Sequence, residues 1–110
     1  MNSVVYLPGV WDVFHPGHLN VINRAKLCGD YLVVGVCSDR LEQQHKKIPA
    51  TFNEAQRSQV IAGLKSVDEV YVYDNPDQTE AIRLFNAQMF VVGEEFGFQG
   101  VPEHQKALDY

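Results

Sequence analysis

The chain has 110 residues, enough for one domain with its own core and too few for two. With 45% hydrophobic and 21% charged residues it has the make-up of a globular protein, and a formal net charge of −5 argues against nucleic acid as the main partner, so any phosphate site has to be locally basic. No apolar run approaches bilayer length, the N-terminus lacks a basic segment leading into a long apolar one, and Cys28 and Cys37 have no metal-ligand spacing, so a reduced, cytoplasmic protein without membrane insertion is expected.

Residues 3–7, with the apolar run Val4-Val5-Tyr6-Leu7, read as a buried first strand that Pro8-Gly9 ends. The stretch from Gly9 to His18 is then a strand-to-helix crossover, and in an open α/β sheet such loops line the ligand crevice at the carboxyl ends of the strands. His15 and His18 flank Pro16-Gly17, which speaks against a regular helix through both rings. Gly17 permits close backbone approach, and His18 falls near a helix start, where exposed amides and the dipole attract phosphate. Two imidazoles and a helix start in one loop suit an anion site at a reacting phosphorus.

From His18 to Leu27, Val21, Ile22, Ala25 and Cys28 form one apolar stripe, and Gly29 is the stop. Tyr31 to Cys37 is almost continuously apolar and β-branched, as befits a parallel strand covered on both faces. Asp39 follows that strand end; it either faces the crevice or caps a helix. Residues 40–52 read as polar and irregular, a loop whose Lys46-Lys47 can close over a nucleotide or lie solvated. Asn53 with Gln56 forms a capping box for a helix whose core face is Val60, Ile61 and Leu64. Arg57 shares that inward stripe and needs an anionic partner, either a nucleotide phosphate or a carboxylate such as Asp12 or Asp39.

Val67 to Tyr73 is a third strand nearer the sheet edge, Asp77 with Glu80 forms a second capping box, and Ala81, Ile82 and Phe85 give the next helix its core face. Met89 to Val92 is the fourth strand, ended by Gly93, and Glu94-Glu95 again follow a strand end, either at the site or as plain surface. The alternation of strands and helices predicts an α/β domain with a doubly wound parallel sheet, spanning 1–110.

The pattern Gly9-x-Trp11-Asp12-x-x-His15-x-Gly17-His18 resembles the signature of the cytidylyltransferases, within the nucleotidyltransferases that carry a His-x-Gly-His loop. The likeness continues through Gly29 to Asp39, Lys46-Lys47, Arg57, Val67-Asp68-Glu69-Val70 and Val91 to Glu95, roughly residues 3–96. It implies a Rossmann-like sheet in the order 3-2-1-4-5, a homodimer, and transfer of a cytidylyl group from CTP to a small phosphorylated alcohol of the glycerol 3-phosphate kind. His15, His18, Lys46 and Arg57 would be catalytic. Gly9, Val10, Trp11, Asp12, Gly17, Asp39, Lys47, Gly93 and Glu94 would bind the nucleotide, and Mg2+ would be held mainly by its phosphates, with no protein metal cage. Family members carry Gly-Asp-Asp where this chain has Gly93-Glu94-Glu95, then a fifth strand and an Arg-x-x-x-Ile-Ser-Thr-Thr segment that residues 97–110 do not match. The expectation is therefore a domain truncated at its C-terminus relative to the family. Adenylyl transfer, as in ADP-heptose or FAD synthesis, and a non-catalytic nucleotide-binding or association module are the alternatives.

Overall fold

The computed structural model describes residues 3–45 and 49–92. The elements run β1 (Val4–Gly9), α1 (Pro16–Lys26), β2 (Tyr31–Cys37), α2 (Asp39–His45), α3 (Glu54–Ala62), β3 (Glu69–Tyr73), α4 (Thr79–Phe85) and β4 (Met89–Phe90). Among the described residues the strands form one sheet in the order β3-β2-β1-β4, and every pairing is parallel. That is the expected order as far as its fourth strand; the anticipated fifth strand falls outside the described residues.

Side-chain alternation in β1 and β2 divides the core. Val5, Leu7, Leu32, Val34 and Val36 face the layer that holds Ile22 and Ala25 of α1 and Ile61 of α3. Tyr6 and Val33 face the opposite layer, with Ala81 of α4 and Phe90. The sheet is thus covered on both sides, and its strand order reverses between β1 and β4, the place where such sheets open a ligand crevice.

Several boundaries differ from the sequence expectation, each for a local reason. β1 runs through Pro8-Gly9 and does not stop at Leu7, with Pro8 opposite Gly35. The carbonyls of Val4 and Tyr6 accept from the β4 side, so the Pro8 nitrogen faces a flank where β4 has already ended and its missing N–H costs no ladder bond. α1 starts at Pro16, two residues early, because proline fits the first helical position. Cys28 is exposed and does not join the stripe.

Residues 40–45, expected as the start of a loop, belong to α2, which begins at Asp39: the Ser38 hydroxyl accepts from the Leu41 amide at 3.1 Å, and Leu41 is buried beside Cys37 and Tyr73. The capping box of Asn53 and Gln56 is present. The one expected at Asp77 is replaced by an earlier turn, in which Asp77 accepts from the amide and hydroxyl of Thr79 at 3.0 and 2.6 Å, while Gln78 takes the cap position without a side-chain bond. Val60 is exposed, leaving Arg57 and Ile61 as the buried positions of α3. β3 is the edge strand anticipated but begins only at Glu69. Asp68 turns back to accept from the Leu32 amide and Lys26, at 2.8 and 2.6 Å. β4 covers only Met89–Phe90 of the expected four residues, although the Val91 amide still donates to Tyr6.

Candidate active site

The loop between β1 and α1 leaves the carboxyl end of a central strand, and its backbone is strained. Trp11 and Val13 have φ of 61° and 47°, a region that costs a non-glycine residue on the order of 1–3 kcal/mol and is most foreign to a β-branched one. Three contacts over-determine this conformation. The Trp11 ring is buried and its Nε1–H donates to the Gly35 carbonyl at 2.8 Å. That ring also lies where a side chain on residue 9 would sit, so the position calls for glycine. The Asp12 carboxylate accepts from the amides of Thr51 and Phe52, at 2.8 and 3.0 Å.

His15 is the N-cap of α1, in extended conformation, and its Nδ1 accepts from the Gly17 amide at 3.0 Å. His18, three residues on, closes a capping box: its Nδ1 accepts from the His15 amide at 3.1 Å. Pro16-Gly17 therefore does not separate the rings from the helix; it forms the helix's first turn, with one imidazole at the cap and the other inside. A Cβ on residue 17 would overlap the His15 ring, which explains the glycine between them. The ring centroids are 4.0 Å apart. His18 is buried, with Phe14 stacked on it at 5.3 Å and Trp11 edge-on at 5.6 Å. Since each Nδ1 spends its lone pair on a backbone amide, each ring holds its proton on Nε2, as a hydrogen-bond donor.

Arg57 is 1% exposed and its guanidinium is spoken for by the protein. Nε donates to the Phe52 carbonyl at 2.9 Å, Nη1 to those of Val10 and Cys37 at 2.8 Å, and Nη2 to Asp39 at 2.8 Å. Four of its five N–H donors are thereby used. Of the two carboxylates anticipated as partners, Asp39 forms the ion pair and Asp12 does not. Asp39 also exchanges bonds with Glu54: its Oδ2 accepts from the Glu54 amide at 3.1 Å, and its own amide donates to the Glu54 carboxylate at 2.8 Å. Arg57 therefore ties the imidazole loop, through Val10, to the end of β2 and the start of α3.

Burial alone would push the Asp12 carboxyl up, but the Thr51, Phe52 and Val13 amides and the Arg57 charge outweigh it and hold it below the ordinary aspartate value. A depressed folded pKa means stability that is present above the unfolded value and lost as pH falls through the folded one. The urea midpoint is accordingly expected to fall on going from about pH 5 to about pH 3, and to fall less in Asp12→Asn, which has no such carboxyl to titrate. An equal fall in both proteins would show that Asp12 contributes nothing to the acid limb.

The structure thus gathers His15, His18, Gly9, Val10, Trp11, Asp12, Gly17, Asp39 and Arg57 around one crevice mouth. Lys46, Lys47, Gly93 and Glu94, with Glu95, lie outside the described residues. Sequence reading missed Gly35 as the acceptor for Trp11, the Thr51 and Phe52 amides as the partners of Asp12, and Glu54. Only the helix start at Asn53 hinted at the last two. A cleft of about 230 Å3 opens between this loop and α3, with Val13, Phe14, Phe52 and Val60 among its walls. Among the described residues no three His, Cys, Asp or Glu side chains converge in a way that could hold a metal ion, and no helix is long and apolar enough to cross a membrane.

A family described as cytidylyltransferase-like matches residues 6–109. The chain is 30% identical over 101 residues to the FAD synthase of Picrophilus torridus, covering 92% of this chain and 72% of that protein. It is 33% identical over 95 residues to the bifunctional protein HldE of Wolinella succinogenes, 86% of this chain but 20% of that protein. With a probable ethanolamine-phosphate cytidylyltransferase of Encephalitozoon cuniculi it shares 37% over 93 residues, 83% of this chain and 28% of the other. The crystal structure of a lipopolysaccharide core biosynthesis protein from Thermoplasma volcanium superimposes with a TM-score of 0.83 at 25% identity, covering 96% of this chain and 84% of that one.

Proposed function

Because the chain belongs to the cytidylyltransferase-like family of nucleotidyltransferases, we propose that it transfers a cytidylyl group from CTP to the phosphate of a small phosphorylated alcohol, giving a CDP-alcohol and pyrophosphate. The observation that carries this reading is the pair of imidazoles at the start of α1, both turned by backbone amides so that Nε2 is the donor. In the reaction, an oxygen of the acceptor phosphate attacks the α-phosphorus of CTP in line. The bond to the bridging oxygen breaks, and pyrophosphate leaves with the electron pair. Negative charge grows on the non-bridging oxygens and on the leaving group, so positioning and fixed donors do most of the catalysis.

His15 and His18 would hold the α and β oxygens through Nε2–H. Lys46 and Lys47 would add cationic charge on the side of the leaving group. Arg57, with most of its donors committed to Val10, Cys37, Phe52 and Asp39, would act chiefly by holding the loop, and Asp12 and Asp39 by anchoring its flanks. Gly9, Val10, Trp11, Gly17, Gly93 and Glu94 complete the proposed nucleotide contacts. Mg2+ would arrive with the triphosphate, bound mainly by its oxygens and by water. The homodimer is carried as part of this proposal.

The relatives named FAD synthase and HldE support a second reading, in which the transferred group is adenylyl and the donor ATP. The test is a thermal-shift comparison of CTP with ATP, followed by release of pyrophosphate in the presence of candidate phosphorylated alcohols. Stabilisation by CTP and CTP-dependent pyrophosphate release are expected. Preference for ATP would move the assignment to the adenylyl reading, and release with neither nucleotide, despite binding, would leave a non-catalytic nucleotide-binding module.

A further inference from the structure

Glu42 is a buried carboxylate that the reaction described above does not use. It lies on α2 and is 3% exposed, and among the described residues no cation pairs with it. Its Oε1 accepts from the Ala50 amide at 3.1 Å. Burying a charge costs free energy unless it is well paired, so a leucine of similar size would serve the packing here at least as well. What the carboxylate adds is a fixed place for residue 50.

Residues 50–53 form a strap of irregular backbone whose four amides are all taken by side chains. Ala50 donates to Glu42, Thr51 and Phe52 to Asp12, and Asn53 to Gln56. The downstream end is held further by α3, whose Arg57 Nε donates to the Phe52 carbonyl at 2.9 Å. The upstream end has only the Glu42 side chain as its anchor among the described residues.

The middle of the strap grips Asp12, which sits between Trp11 and Val13, the two residues with positive φ. Such backbone persists only where its surroundings over-determine it. Slack at Ala50 passes to the Thr51 and Phe52 amides, from them to Asp12, and so lets the loop that carries both imidazoles relax.

We propose that Glu42 is a positioning residue: by holding the Ala50 amide it keeps the strap taut, and through Asp12 it keeps the imidazole loop in the strained conformation that presents the two Nε2 donors. The effect on turnover rests on the reading of the chain as a nucleotidyltransferase; the effect on the loop does not.

Trp11 is the only tryptophan of the chain and lies in that loop, so its fluorescence follows the loop with no nucleotide present. In the full chain, Glu42→Leu is expected to keep or raise the Tm, yet to move the Trp11 emission to the red and open the ring to quenching by acrylamide. In a pyrophosphate-release assay with whichever of CTP and ATP the unaltered protein uses, its kcat is expected to fall about tenfold with KM little changed, as for reacting groups held slightly out of place. Glu42→Gln keeps an oxygen for the Ala50 amide and is expected to restore both emission and kcat. In an Asp12→Ala background, where strap and loop are already parted, Glu42→Leu is expected to add nothing further. Ala50→Pro removes the donor and leaves the carboxylate in place; it is expected to match Glu42→Leu, and decides the matter should the leucine variant not fold.

An unmoved Trp11 emission in Glu42→Leu, an unaltered kcat in that variant, a Glu42→Gln protein as disturbed as the leucine one, or a full additional effect on top of Asp12→Ala would each overturn the proposal. Absence of turnover with either nucleotide in the unaltered protein would count against group transfer, while the fluorescence would still decide the role of Glu42.

Discussion

His18→Ala is expected to lower turnover about 100- to 1000-fold, the usual cost of removing one fixed donor from charge that develops in a transition state. The variant should still unfold cooperatively, since the ring lies in the first turn of α1 against Trp11 and Phe14 and is not part of the sheet. Alanine removes two things at once, however: the Nε2–H donor and the Nδ1 that accepts from the His15 amide. His18→Asn separates them, because the carboxamide oxygen can take over the amide while nothing replaces Nε2. If the chemistry is carried by Nε2, the asparagine variant falls as far as the alanine one in a pyrophosphate-release assay. If the asparagine variant keeps near-normal turnover, His18 serves only to cap α1 and the assignment is lost.

Arg57→Ala is expected to act on stability first. It would leave the Asp39 carboxylate and the carbonyls of Val10, Cys37 and Phe52 without their donor, and removing one partner of a buried pair costs about 3–5 kcal/mol. Asp39 is about one third exposed, so water recovers part of its loss and the lower end of that range is expected. For a domain of this size each kcal/mol moves Tm by roughly 4–8 °C, so Tm should fall by more than about 10 °C. Arg57→Lys restores the charge but not the fork, since an ammonium cannot span carbonyls on three segments, and should recover little. The contrary outcome is specific: Arg57→Ala with an unaltered Tm and abolished turnover would make the side chain a phosphate ligand and not a brace.

Most of the site was visible in the sequence because its signals are local. His15 and His18 sit three apart around Pro16-Gly17, which places both in the crossover that leads into α1; that the helix already begins at Pro16, with His15 as its cap, was not read from the spacing. The inward position of Arg57 followed from its place one turn before Ile61. What could not be read was the choice between its possible partners. Asp12 and Asp39 are both short carboxylates after strand ends; only the close approach of the Thr51 and Phe52 amides to Asp12 leaves Asp39 to take the guanidinium. The misread helix at 39–45 has a similar cause: its few residues show little periodicity, and it is held by Leu41 packing on Tyr73, a residue from another strand.

By itself, then, the sequence determined the order of the four strands and of three of the helices, the two-sided burial of β2 and the presence of both imidazoles in the loop that leads into α1, because apolar runs, caps and a Pro-Gly break act over a few residues. The tertiary structure alone decided which carboxylate meets Arg57, why Gly9 and Gly35 must lack side chains, and that Gln78, distant in sequence from Tyr6, ends up beside it with one amide end unpaired. Those outcomes depend on which segments the parallel crossovers bring side by side. No spacing along the chain encodes the few ångströms that separate a satisfied donor from an orphaned one.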